Sequence, residues 1–201
     1  MVAARAASLQ PPQVAEGEER FVLRNVAWRD YLVLRELLDS PGLRMTYCEG
    51  ALELMSPSAD HELKKTLIAR LLETYCIERD VPLDGEGSTT YRREAKARGL
   101  EPDECYFLEP RRGQYPDIAI EVVIKSGGID KLDVYRGLGV REVWFWENDA
   151  FVLHALTEQG YVPITSSAIV PGLDFERLAT FVRRTDQHRA VREFRDSLRS
   201  E

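Results

Sequence analysis

The clearest alternation in the chain runs over residues 115–124, where Ile118, Ile120, Val122 and Ile124 alternate with Asp117, Ala119, Glu121 and Val123. A period of two is the signature of a strand, because successive side chains point to opposite faces. Upstream, Leu63, Leu67, Ile68, Leu71, Leu72 and Tyr75 recur at three- and four-residue steps and predict a helix. A shorter helix is predicted over 28–38, from Tyr31, Leu32, Leu34, Leu37 and Leu38, with Ser40-Pro41-Gly42 as its stop. Between these helices, the runs 43–48 and 51–55 flank Glu49-Gly50 and read as a hairpin, closed by Ser56-Pro57-Ser58. Residues 85–87 read as loop, and 88–92 and 103–108 as strands joined by an exposed, charged connection over 93–101. Arg111-Arg112-Gly113 is a turn.

After Gly127-Gly128 a helix is predicted over 129–138, ended by Gly139. A strand over 140–146, a turn at Glu147-Asn148-Asp149 and a strand over 151–156 follow. Asp174 suits the cap of a helix reaching about 182, and Val191, Phe194 and Leu198 mark a last helix over 190–198. This order implies an α/β fold, a mixed β-sheet flanked by α-helices. The expected division is a flexible N-terminal tail over 1–20, one domain over 21–185 and a C-terminal helix over 186–201. Pro11-Pro12 and the acids Glu16, Glu18 and Glu19 suggest the tail.

Composition narrows the class. With 201 residues, 44% hydrophobic and 30% charged, the chain suits one globular domain. No apolar run approaches the roughly 20 residues of a membrane span, and the first nine residues do not read as a signal peptide. A cytoplasmic location follows as the expectation. Cys48, Cys76 and Cys105 form no C-x-x-C pair, which suits free thiols in a reducing compartment. His61, His154 and His188 are scattered, against a histidine zinc site. The net charge of −7 argues against a generic nucleic-acid coat protein, but leaves room for a nuclease with a local basic face.

The chemistry centres on the strand over 115–124. A strand this apolar is expected to be covered on both sides, where a carboxylate such as Glu121 needs a metal ion or a lysine beside it. Asp103, held in an extended approach by Pro102, converges with Glu121 if their strands are neighbours. Two carboxylates, a carbonyl and waters suit Mg²⁺. Lys131, Val134, Tyr135 and Leu138 share one helix face, so the lysine points toward the sheet. His61, Ile68 and Leu72 share another inward stripe. Taken singly, each residue has a plainer reading. Asp103 could start a strand, Glu121 could form a structural ion pair, Lys131 could snorkel and His61 could cap or fill the core.

Several stretches together resemble a known family. They are Glu49-Gly50, Leu54-Met55-Ser56-Pro57-Ser58, His61, Glu101-Pro102-Asp103, Pro116-Asp117-Ile118-Ala119-Ile120-Glu121-Val122, Ser126, Lys131 with Tyr135, Gly139-Val140 and Glu142-Val143-Trp144. In this order and spacing the chain resembles the Uma-type family of bacterial endonucleases, within the PD-(D/E)-x-K nuclease superfamily. The resemblance implies a restriction-endonuclease-like core, with Asp103 as the metal-binding aspartate and Glu121 as the acid that follows it. The superfamily lysine falls on Val123, and Lys131, on the next helix, takes its place. Lys125 is a further candidate.

The function expected is Mg²⁺-dependent hydrolysis of DNA phosphodiester bonds, with Mn²⁺ as a substitute metal. Asp103, Glu121 and the Val122 carbonyl are the expected ligands, Lys131 steadies the nucleophile or the phosphorus, and His61 touches the phosphate or a water. The alternative is a catalytically inactive nuclease-fold protein that binds DNA or protein. A third reading, an enzyme of small acidic substrates, lacks a glycine-rich phosphate loop or a Ser-His-Asp order. A homodimer is an expectation too, with the aromatic hairpin over 143–156 as its interface.

Overall fold

In the computed structural model, which describes residues 17–40, 42–111, 113–125 and 127–200, the chain forms two sheets, and the helix Lys131–Leu138 touches strands of both. The tail over 1–16, Pro41, Arg112, Ser126 and Glu201 lie outside the described residues.

The first sheet is antiparallel and built from β1 (Glu19–Leu23), β2 (Arg44–Cys48), β3 (Ala51–Ser56), β5 (Tyr91–Arg93) and β6 (Arg98–Leu100), in the order β1-β3-β2-β6-β5. Its hairpin turns at Glu49 and Gly50, which take φ of 46° and 91°, the double positive φ of a two-residue turn. Helix α1 (Trp28–Leu37) lays Tyr31 over this sheet, stacked on Tyr47 at 4.8 Å.

The second sheet follows the order β11-β10-β9-β8-β7-β4. Its strands are β4 (Leu83–Gly85), β7 (Glu104–Leu108), β8 (Ile118–Val123), β9 (Glu142–Glu147), β10 (Ala150–Thr157) and β11 (Gly160–Ile164). The β8–β9 pair is parallel and the other pairs are antiparallel, so this is the expected mixed sheet. A parallel pair needs a crossover, which α3 (Lys131–Leu138) provides. Ile118, Ile120 and Val122 face α2 (Ala59–Glu78), α4 (Phe175–Val182) and α5 (Gln187–Leu198) in one core. Ala119 faces Val134, Tyr135 and Leu138 of α3 in another. Ser58, Asp130 and Asp174 cap α2, α3 and α4 by accepting from His61 N, Leu132 N and Arg177 N.

Two expectations are corrected. The tail does not reach residue 20, because Glu19 and Arg20 pair with Ser56 and Met55, and Glu18 is buried. The connection over 93–101 is not wholly exposed: after one 3₁₀ turn (Glu94–Lys96) it forms β6, with Gly99 and Leu100 buried. In the hairpin over 143–156, Trp144 and Trp146 are buried in the chain's own core, while Phe145 and Phe151 are part-exposed. Strands β4, β6 and β11 are short or carry glycine or proline, so the periodicity that marks β8 does not mark them.

Candidate active site

Register brings the two predicted carboxylates together. Strands β7 and β8 pair with Glu104 opposite Ile120, and one step further along the same register Asp103 stands opposite Glu121. Residues directly opposite on antiparallel strands share a face. Asp103 also accepts from the Val122 N–H at 2.8 Å. Both carboxylates are withdrawn from solvent, at 1% and 0% exposure.

The next helix closes on them. Lys131 and Tyr135, one turn apart on α3, take the two oxygens of Glu121: the Lys131 ammonium donates to Oε2 and the Tyr135 hydroxyl to Oε1. The Lys131 side chain is 11% exposed. The start of α3 is fixed by Glu53 on β3, which accepts from the Ile129 N–H at 2.8 Å. His61 comes from the first turn of α2 and lies between two carboxylates. Its Nδ1 is 3.2 Å from Glu18 Oε2, and its Nε2 is 2.9 Å from Asp103 Oδ1, an ionic contact rather than a well-aligned hydrogen bond.

A second ring of groups roofs this pair. Arg20 holds Glu18 at 2.8 Å, approaches Glu53 at 3.6 Å and donates to the Gly127 carbonyl. Lys125 does not lie beside Glu121; it leaves the strand and donates to the Glu18 carbonyl at 2.8 Å. Asp117 stays apart, accepting from Leu108 N at 2.9 Å and pairing with Arg141 at 3.0 Å.

Burial and neighbouring charge set the protonation of the cluster. Burial pushes Asp103 up, but His61, Lys131 and the Val122 N–H outweigh it and hold the carboxyl well below the usual carboxylate range. Burial lifts Glu121 to about 7 against the pull of Lys131. Burial works against the charged forms of His61 and Lys131. Asp103 with Glu18 outweighs it for the ring, and Glu121 with Asp103 for the amine, so both pKa values lie above their ordinary values.

The donor chemistry fits a hard divalent cation. Two carboxylates on facing strand positions are oxygen ligands of the kind a hard cation such as Mg²⁺ takes alongside waters. Among the described residues no group of three or more His, Cys, Asp and Glu side chains is placed to hold a metal ion. The Lys131 ammonium and the His61 ring now meet the oxygens such an ion would use.

The structure thus brings together Asp103, Glu121, Val122, Lys131 and His61, and leaves Lys125 and Asp117 outside the pair. The sequence reading missed Glu18, Arg20 and Glu53, and gave Tyr135 no role beyond the helix face. Glu53 carried the signal that exposed Glu121: a lone charge inside an apolar run, Leu52-Glu53-Leu54-Met55. Glu18, Arg20 and Val22 alternate with Glu19, Phe21 and Leu23, a strand pattern hidden by the acidic cluster before it.

The sequence model of the Uma2 family, described as a putative restriction endonuclease, matches residues 28–180. The chain belongs to the Uma2 family. The match takes in Asp103, Glu121, Lys131 and His61, and leaves Glu18 and Arg20 of this Uma2 protein outside it. One solved structure, a putative nuclease belonging to DUF820 from Anabaena variabilis, is similar at 13% identity over 74% of this chain and 98% of that one, with a TM-score of 0.49. No curated protein matches the Uma2 chain. Among its described residues no helix is long and apolar enough to cross a membrane.

Proposed function

We propose that this Uma2 protein is a Mg²⁺-dependent nuclease that hydrolyses phosphodiester bonds of DNA, with Mn²⁺ able to replace Mg²⁺. The observation that carries the reading is the meeting of Asp103 and Glu121 on adjacent strands, with the Lys131 amine closing on them from the next helix. Asp103, Glu121 and the Val122 carbonyl would hold the ion. When bound, the metal supplies charge stabilisation at a phosphate and an activated water.

The chain's own groups do the remaining work. His61 and the Val122 N–H keep Asp103 ionised and fixed in direction. Tyr135 holds one oxygen of Glu121, so the carboxylate keeps its aim when Lys131 turns away. Val123 offers no amine at the position the superfamily pattern gives to lysine. Lys131 reaches the same carboxylate from α3, and its partly exposed ammonium can donate to a phosphate oxygen as charge develops there.

A second reading has one observation in its favour. Each oxygen of Asp103 and Glu121 already meets a donor from the protein. That closure suits a nuclease-fold module that binds DNA or protein without cutting. The test is Mn²⁺ titration by calorimetry, beside Mg²⁺-dependent cleavage of supercoiled, linear and single-stranded DNA. The nuclease reading expects cleavage by the native chain, with binding and cleavage both lost in Asp103→Asn and Glu121→Gln. Absence of both from the native chain selects the second reading, and unchanged cleavage in either variant removes the assigned roles.

A further inference from the structure

Helix α5 and the residues that flank it carry charge of the opposite sign to the rest of the chain. Residues 183–200 hold six arginines against three acids, a net of +3, in a chain whose total is −7. The remainder therefore carries −10. A local excess of this kind marks a surface for an anionic partner.

The arginines are sorted by helical geometry. Ala190, Phe194 and Leu198 face the core and are buried. His188, Arg192, Arg195 and Arg199 follow at steps of four, three and four residues and so share one flank. The opposite flank is mixed: Arg189 and Glu193 pair at 2.6 Å, and Arg184 meets the same glutamate at 2.6 Å. The basic row is not free of acid: Arg195 pairs with Asp196 at 3.0 Å at the helix surface, an exposed contact that a phosphate can replace.

The basic flank borders α2. Arg199 donates to both oxygens of Glu78, at 2.8 and 2.6 Å, near the end of α2. At the other end Gln187 donates to the Leu63 carbonyl at 3.2 Å and accepts from Arg70 at 3.2 Å. The two helices therefore run parallel. The basic row starts beside Leu63, two residues beyond His61 of the candidate site, and extends away from it. Arg192 and His188 are exposed, and no ion pair or hydrogen bond engages either among the described residues. Eleven steps along the helix span about 16 Å.

We propose that this flank of α5, with Arg70 of α2 beside it, is a track for the phosphate backbone of duplex DNA. The inference rests on the nuclease reading and adds the surface that holds the substrate. A row of three arginines with a histidine at its start suits a regular polyanion, in which each strand presents a charge every ~3.4 Å of helix axis. The apolar side of α5 is buried in the core, so it offers no wedge for a lipid bilayer. The family match ends at residue 180, so this helix adds a feature that the family assignment does not rest on.

Fluorescence anisotropy of a labelled 20-base-pair duplex, without divalent metal and from 50 to 200 mM salt, tests the track. The double variant Arg192→Gln/Arg195→Gln should bind about tenfold more weakly, and its log–log salt slope should fall by about 2, near 0.9 per lost phosphate contact. Arg189→Gln, on the mixed flank, should bind as the native chain does. Native Kd and slope in the double variant overturn the track, and if that variant and the native chain still cleave DNA, the nuclease reading survives alone. A native chain that neither binds nor cleaves DNA removes both. Retention on anionic vesicles in place of the duplex also overturns the track.

Discussion

Replacing Lys131 with methionine removes an ammonium from two buried carboxylates while keeping a similar side-chain volume. Asp103 retains His61 and the Val122 N–H, whereas Glu121 is left with the Tyr135 hydroxyl alone. Breaking one side of a buried ion pair costs about 3–5 kcal/mol, a large part of the roughly 5–15 kcal/mol of a typical domain. Glu121 can escape part of this cost by taking up a proton. Burial already lifts it to about 7 with Lys131 in place, and loss of the amine lifts it further. A carboxyl whose pKa rises on folding contributes stability that is complete below its unfolded value, about 4.3, and is lost as pH rises through the folded value. The slope over that window approaches 1.4 kcal/mol per pH unit. The Lys131→Met variant should therefore lose about 3–5 kcal/mol at pH 8.5 and less than about 2 kcal/mol at pH 5.5. Urea unfolding followed by fluorescence of the buried Trp144 and Trp146 reads both values. Adding Glu121→Gln should flatten the difference, because the amide carries no charge to desolvate. An equal loss at the two pH values, or no loss at pH 8.5, would refute the account of a charged, buried pair.

Glu18→Gln removes one of the two carboxylates flanking His61, so the ring's titration midpoint, read by NMR, should move down; an unmoved midpoint contradicts the contact at 3.2 Å. In the native chain the raised His61 pKa stabilises the fold below about pH 6.5, an effect lost as pH rises through the folded value, and the variant should lose it at lower pH. Gly128 sits at φ +95°, where an added Cβ would collide with the Glu53 carboxylate and Arg20. Gly128→Ala should cost about 1–3 kcal/mol in chemical denaturation, and a change under about 0.5 kcal/mol would contradict that crowding. Ser58→Ala removes the cap of α2 and should cost about 1 kcal/mol without changing the m-value.

The sequence by itself determined the elements whose periodicity is long. The alternation over 115–124 marks β8, the apolar face from Leu63 to Tyr75 marks α2, and Glu49-Gly50 marks the hairpin turn, because each pattern repeats a local geometry several times. It also exposed Glu121 and Lys131, since a charge on an inward face needs a partner somewhere. Only the tertiary structure decided who the partners are. Glu18 and Asp103 are far apart in the chain and meet across one imidazole ring. That meeting depends on β1 pairing with β3 and on α2 starting beside β7, contacts between distant segments that no local pattern encodes. The same holds for Lys125, which the strand's alternation places beside Glu121 but which the chain, once past β8, turns toward the Glu18 carbonyl. Local periodicity fixes which face a side chain occupies, whereas strand register and the packing of distant segments fix what waits on that face.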